Sequence, residues 1–225
     1  MTRCGFLVSI FLFASTAHAE DKTVAKLSLA NGENFPAIDV WVTRAAGKDG
    51  SLVVKLIAKG VGAKPQALTI YQGGGDDDGA GDAEVRGIKA SAFDLPGGKK
   101  GVRVDLVYRL PDGKKKDEQT DTTLVGFGGG KTHKLLELRT RLAHDRSKVC
   151  RESEEIALAL EGDALAASRS LKLDSALGDD DLPLDKSCKS PRGVAKKLYK
   201  WANEKFVDPD DAPAAPDGGT PDSDD

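Results

Sequence analysis

The chain has 225 residues, of which 31% are charged and 5% are aromatic, and its formal net charge is −3. Residues 208–225 contain seven of the 36 acidic side chains and no basic one, whereas residues 1–19 contain one of the 33 basic ones. Residues 20–207 therefore carry 32 basic and 29 acidic side chains, a net charge of +3. Such a weak and dispersed charge argues against a nucleic-acid-binding surface, which needs a clustered basic stripe.

The N-terminus has the layout of a secretory signal peptide. Arg3 precedes the apolar run GFLVSIFLFA, and the small residues STAHA follow it. We expect cleavage after Ala19, and the apolar run is shorter than the roughly 20 residues of a membrane-spanning helix. The sequence thus predicts an exported bacterial protein, periplasmic or extracellular, with no membrane span after cleavage.

Export decides the interpretation of the cysteines. Cys4 lies in the leader, so that Cys150 and Cys188 form the only pair in the mature chain. Disulfides form in oxidising compartments, and no C-x-x-C spacing suggests a metal site instead. We expect one disulfide, which stabilises the fold by about 3 to 4 kcal/mol in the chain-entropy model.

Period-two alternation of apolar residues dominates the chain and predicts half-buried strands. It is clearest in PAIDVWVTR, SLVVKLIAK and GVRVDLVYRL. Further strands are predicted in TVAKLSL, ALTIY, TTLVGF, EIALAL and SLKLD, and LLELRTRL is assigned to a strand although a helix also fits it. Turn-forming residues separate these segments. The predicted fold is mainly β, an antiparallel sandwich of immunoglobulin-like or jelly-roll-like type in residues 20–207, with a barrel as the open alternative.

A C-terminal amphipathic helix is predicted near 191–206. Ser190-Pro191 is typical of a helix start, and Val194, Leu198, Trp201 and Ala202 recur at helical spacing. The disulfide would then attach this helix to the strands near Cys150. The acidic tail, 208–225, is predicted to be disordered, and the alternative is an acidic arm that folds back on lysines of the body.

The segment GFGGGKT, residues 126–132, resembles a phosphate-binding loop only superficially. The pattern G-x-x-x-x-G-K-[ST] requires glycine at Val125, and the flanking strands do not suggest a parallel βαβ unit. We expect a hairpin or strand connection here and no nucleotide or other cofactor.

The acidic stretch GGGDDDGAGDAE is the only candidate for a cation site. No register places the ligands of an EF-hand loop, which leaves a looser calcium site of Asp76, Asp78, Asp82 and Glu84 as the weak alternative to a mobile acidic loop.

Catalysis has little support in the sequence. His133 and His144 fit no zinc-binding spacing and no nucleophile elbow is present, although a spatially assembled triad stays open. Trp41 is the candidate ligand contact for a sugar, with packing under a loop or against the helix as the favoured alternative. Lys114 to Lys116 are expected at a solvated hairpin tip.

These features predict a non-enzymatic binding or envelope-associated module with a protein or envelope component as its partner. A secreted hydrolase and an inhibitor-like or chaperone-like protein that presents a loop or an edge strand are the alternatives.

Overall fold

A computed structural model describes residues 22–30, 37–47, 51–73, 85–110, 117–176, 184, 186–189 and 195–211. The leader, the four calcium candidates Asp76, Asp78, Asp82 and Glu84, Lys114 to Lys116 and the tail beyond Asp211 lie outside these ranges. The fold is mainly β and consists of two antiparallel sheets that do not close into a barrel.

The first sheet contains four strands in chain order, as the alternating sequences predict. They are β1 (Lys22–Leu29), β2 (Ile38–Ala46), β3 (Leu52–Lys59) and β4 (Gln66–Gly73). Val40 of β2 and Leu56 of β3 are at most 1% exposed. Residues next to them along the strands point to the other face, so that the sheet has one buried face.

The second sheet contains eight strands, also in chain order. They are β5 (Val85–Asp94), β6 (Lys100–Arg109), β7 (Glu118–Gly128), β8 (Lys131–Ser147), β9 (Cys150–Glu161), β10 (Ala164–Ser175), β11 (Ala195–Ala202) and β12 (Lys205–Val207). The segment LLELRTRL lies in β8, which confirms its assignment to a strand.

Both sheets are meanders, because within each sheet every described strand pairs with the next one along the chain. Immunoglobulin-like and jelly-roll sandwiches instead use Greek-key crossovers. The expectation of either topology is therefore wrong, although two packed antiparallel sheets are present. Short turns join most neighbours, and they favour sequential pairing over long crossovers.

The main core lies between the first sheet and strands β5 to β7. Its buried members include Val42 and Val54 from the first sheet, and Val104 and Val125 from the second. Leu124, the neighbour of Val125 on β7, is equally buried but belongs to a second cluster with Leu135, Leu165 and Phe206. Strand β7 is thus covered on both faces.

The second cluster exists because β8 and β9 diverge after a short shared ladder. Their ladder joins residues 141–147 of β8 to residues 150–155 of β9, and the first ten residues of β8 have no partner in β9. Beyond this point β9 to β12 lie across the outer face of β7 and β8, where Leu165 and Phe206 meet Leu124 and Leu135. The second sheet therefore forks.

The predicted helix is wrong, since residues 195–207 form the β11–β12 hairpin. Tyr199 and Trp201 alternate toward the second cluster, and Trp201 packs edge to face on Phe206 with a centroid distance of 4.8 Å. Leu198, which the helical spacing would bury, is 43% exposed. The helix-start signal at Ser190-Pro191 lies outside the described residues.

The predicted disulfide between Cys150 and Cys188 is confirmed, with 5.6 Å between the Cα atoms. Both cysteines are buried, at 2% and 3% exposure. The bond attaches the connection between β10 and β11 to the start of β9, rather than attaching a helix. Among the described residues no helix has the length and hydrophobicity to span a membrane. The buried disulfide is compatible with export.

A buried carboxylate marks the point where the second sheet forks. Glu154, on β9, has a side chain that is 7% exposed, and it accepts hydrogen bonds from Arg139 on β8 and Arg169 on β10. The Arg139 Nη2 atom lies 3.2 Å from Glu154 Oε2. The two arginine side chains are 46% and 50% exposed, so that only the carboxylate depends on these contacts for its solvation.

Loss of the disulfide should destabilise the fold substantially. The bond closes a loop across 38 positions, which corresponds to about 4 kcal/mol of chain entropy in the unfolded state. We expect Cys150→Ser/Cys188→Ser to lower the melting temperature by about 8 to 15 °C, as measured by calorimetry. Dithiothreitol should lower the wild-type melting temperature similarly and leave the variant unchanged; equal melting temperatures for variant and oxidised wild type would contradict the expectation.

In the Arg139–Glu154–Arg169 cluster, removal of the two arginines should lower the free energy of unfolding more than removal of the carboxylate charge. Arg139→Met/Arg169→Met leaves a buried carboxylate without either partner, and we expect a loss of about 3 to 5 kcal/mol in the free energy of unfolding. Glu154→Gln leaves two half-exposed arginines that water can solvate, and it should cost only about 1 to 2 kcal/mol. Denaturant titration measures both.

The matched control is Lys172→Met on β10, which removes an exposed ion pair with Asp174. Its effect should stay below about 1 kcal/mol. A double arginine variant no less stable than this control would show that Glu154 does not need its partners.

Candidate functional site

A groove of about 590 Å³ lies at the end of the sandwich where several turns meet. Its floor is apolar and consists of Ile38, Val61 and Phe127, and its rim carries Lys99, Lys100 and Glu204. The remaining lining residues are glycines: Gly60, Gly97, Gly98, Gly128, Gly129 and Gly130. We call this concavity the glycine groove.

The segment GFGGGKT provides one wall of the glycine groove. It forms the β7–β8 hairpin, in which Gly128 pairs with Lys131 and the two residues between them have φ of +56° and +73°. Positive φ at both central positions defines the type I′ turn that suits the twist of a hairpin, and glycine adopts it without strain. The expected hairpin connection is therefore present, and its glycines expose backbone instead of side chains.

A second type I′ turn approaches from the other branch of the fork. Asn203 and Glu204, between β11 and β12, have φ of +51° and +59°. The Glu204 carboxylate lies against the Cα of Gly128, where an added Cβ would meet Glu204 Oε1 at 2.8 Å. A side chain at position 128 would displace this carboxylate from the groove.

Glu204 also brings two positive or potentially positive groups together. Its carboxylate oxygens lie 4.0 Å from Lys99 Nζ and 3.9 Å from His133 Nε2. The His133 Nε2 atom is buried and has no hydrogen-bond partner among the described residues. This cluster adjoins the groove, since Lys99 and Glu204 line both the groove and the neighbouring cleft that contains His133.

The other histidine cannot join this cluster. His144 lies eleven positions further along β8, which corresponds to about 36 Å of strand. It pairs with Glu152 in the ladder between β8 and β9. The described residues also contain no group of three or more side chains that could hold a metal ion.

Trp41 lies away from the glycine groove, on the outer face of the first sheet. It is half-buried, opposite Lys26 of β1 and Ile57 of β3 in the ladders. Trp41, the candidate sugar contact, is thus not among the described residues that line the glycine groove.

The beginning of the acidic tail contacts the body. Asp208 and Asp210 accept hydrogen bonds from the Lys197 ammonium group at 2.6 and 2.8 Å, and residues 209–211 form a short 3₁₀ helix. The hydrogen bond from Lys197 lowers the pKa of Asp208, and the two carboxylates raise the pKa of Lys197. Only the first residues of the tail are held on Lys197 in this way; residues 212–225, for which disorder or an arm folded back on lysines is predicted, lie outside the described ranges.

Comparisons with protein-family models, with curated proteins and with solved structures found no match to the chain.

A titratable group with a shifted pKa is a useful marker of a functional site, and Asp121 on β7 has one. Burial and then the nearby Glu137 raise its pKa above 3.8, although Arg139 partly opposes this. Asp121 accepts a hydrogen bond from Gln119 at 2.9 Å and lies outside the glycine groove. Its shifted pKa is a property of the sheet rather than of the groove.

The raised pKa of Asp121 predicts a pH-dependent effect on stability. The folded state binds this proton more tightly than the unfolded state, so the ionised carboxylate destabilises the fold at neutral pH and the penalty disappears below pH 3.8. Asp121→Asn should raise the free energy of unfolding at pH 7 and have no such benefit at pH 3. Denaturant titrations at the two pH values measure this, with the exposed Asp174→Asn as control; a benefit that is larger at pH 3 would refute the assignment.

Proposed function

We propose that the chain is an exported, non-enzymatic binding module that holds an extended polypeptide segment of an envelope component in the glycine groove. The single observation that carries this proposal is the combination of an apolar floor with walls made of backbone. Its volume, about 590 Å³, falls within the range of about 300 to 1,000 Å³ for ligand pockets.

The chemistry of the lining favours a polypeptide ligand. Three of the six glycines, Gly97, Gly98 and Gly129, have open space on the side where a Cβ would lie, since an added Cβ there would meet no atom within 4 Å. An extended segment can use backbone groups for main-chain hydrogen bonds and place alternate side chains on the apolar floor. The two lysines and Glu204 at the rim can select the charge of the flanking residues.

The same lining supports binding over catalysis. None of the described lining residues of the glycine groove carries a hydroxyl, thiol or imidazole group, and a hydrolase needs an activated nucleophile at the reacting atom. His133 and Glu204 meet in the neighbouring cleft, but none of the described residues that line this cleft is a serine. The hydrolase alternative is accordingly weaker.

An open strand edge supports the alternative of an inhibitor-like or chaperone-like protein. Strand β12 pairs with residues 200–202 of β11, and in the described part of the chain no strand pairs with that edge of residues 195–199. Such an edge can accept an added strand. Lys197 and its bound aspartates lie along it, however, and charged side chains usually discourage such pairing.

Photo-crosslinking from the groove tests the proposed function. A photoreactive amino acid replaces Lys99 at the rim, or Lys89 on β5 as an exposed control outside the groove, and each protein is illuminated in cell-envelope extract. We expect polypeptide adducts from position 99 and not from position 89. Val61→Arg places a long charged side chain on the apolar floor and should reduce the adducts at least fivefold, an effect of about 1 kcal/mol or more.

Two results would count against the groove. Equal adducts from positions 99 and 89 would indicate nonspecific capture, and adducts that persist in a correctly folded Val61→Arg protein would place the ligand elsewhere. Because Val61 packs against the main core, circular dichroism must first show that the Val61→Arg variant is folded. Lys99→Glu, in combination with a photoreactive residue at position 98, provides a second variant at an exposed position.

A further inference from the structure

The outer face of β9, β10 and β11 is unusual for a solvent-exposed sheet because its residues are mostly small. It contains three rows of cross-strand neighbours: Glu161–Ala164–Lys200, Ala159–Ala166–Leu198 and Ala157–Ser168–Lys196. Leu198 is one of three large apolar side chains that are clearly exposed in the described part of the chain. We call these nine residues the alanine face.

The alanine face is asymmetric across the strands. Its β9 side offers Glu161 and two exposed alanines, whereas its β11 side offers Leu198 between Lys196 and Lys200. The β9 side is therefore acidic and has small side chains, whereas the β11 side is basic and has a leucine that projects from the sheet. Lys196 already contacts Glu161 at 2.7 Å, but Lys200 makes no ion pair among the described residues.

We propose that the chain forms a symmetric dimer through the alanine face, with a second copy as its partner. A two-fold axis parallel to β10 places β9 of one copy over β11 of the other. Residues of one row then face each other, so that Glu161 meets Lys200 of the second copy and Leu198 rests on the partner's Ala159. The surface is thus self-complementary in charge and in shape, as an isologous interface requires.

The geometry agrees with ordinary packing of sheets. Two sheets stack about 10 Å apart with their strands nearly aligned. An alanine below a leucine allows this separation, whereas large side chains on both faces would hold the sheets apart. Each contact occurs twice, so two leucines leave water and two new ion pairs form at the rim of the interface.

The main core, the second cluster and the glycine groove do not contribute residues to this interface. Ala166, in the centre of the alanine face, is only 1% exposed, so that the contact area comes from the residues around it. This inference does not depend on the proposed function, because no residue of the alanine face lines the groove.

Sedimentation velocity of the purified chain over a range of concentrations tests the dimer. We expect a dimer that dissociates on dilution, and Leu198→Glu should raise its dissociation constant at least a hundredfold. Lys200→Glu and Glu161→Lys should each raise it at least tenfold, because each places like charges in contact. Combining them, Glu161→Lys/Lys200→Glu, should restore the dimer, and Lys89→Glu on β5 should have no effect.

Leu198 and Lys200 are exposed and make no ion pair among the described residues, so their variants should keep the wild-type melting temperature of the monomer. Glu161→Lys also removes the exposed ion pair with Lys196, which should cost less than about 1 kcal/mol. The melting temperature thus separates loss of association from loss of folding. A wild-type chain that stays monomeric up to about 1 mM would overturn the proposal. So would a dimer whose dissociation constant is unchanged by Leu198→Glu, since another surface would then hold it together. Crosslinking from position 99 to an envelope polypeptide should be retained in the Leu198→Glu monomer, so the two proposals can fail separately.

Discussion

The divergence of β8 from β9 is the constraint on which the rest of the structure depends. A flat eight-stranded sheet would leave the outer face of β7 in water, and Leu124 would be exposed there. Instead the ladder between β8 and β9 ends at residues 141 and 155, and the later strands cover that face. Glu154 and its two arginines lie at the branch point, where a strong ionic contact can hold two strands that no longer share backbone hydrogen bonds.

The same divergence creates the glycine groove. The β7–β8 and β11–β12 turns are far apart in the order of the sheet, with the two strands β9 and β10 between the hairpins, yet Glu204 lies against Gly128. They meet because the two branches of the fork pack against each other through the second cluster. Leu135 and Trp201 of this cluster line one cleft together with Gly128 and Glu204. A glycine at position 128 permits this approach, and the β3–β4 and β5–β6 connections complete the walls.

Much of the first sheet and of β6 could be predicted because their alternation is regular. Strand β5 was not predicted, since a bulge between Val85 and Gly87 places Val85 and Ile88 on one face, three positions apart. The sequence predicts a helix for the hairpin at 195–207 because Leu198 and Trp201 have helical spacing. Of these two residues only Trp201 is directed to the second cluster, together with Tyr199. Local periodicity cannot distinguish these cases when a tertiary cluster selects the buried face.

The candidate site was harder to predict than the fold, for a physical reason. Its lining comes from turns that are distant in sequence, and most of its residues are glycines, whose contribution is backbone rather than a recognisable functional group. GFGGGKT resembles a nucleotide motif only superficially, and its position in the groove depends on the fork rather than on its own sequence. The disulfide was predictable because pairing two cysteines in an oxidising compartment needs no knowledge of the fold.

The relation between the glycine groove and the alanine face links the two proposals. The β9–β10, β7–β8 and β11–β12 turns lie at one end of the molecule, because antiparallel neighbours reverse there. A two-fold axis parallel to the strands preserves this direction, so both grooves of the dimer would open toward the same side. Two weak sites that face one surface can engage a single envelope component together, and their combined affinity can exceed either alone by about 10² to 10⁴. An axis perpendicular to the strands would point the grooves in opposite directions and lose this gain, so the orientation of the dimer decides whether association strengthens binding.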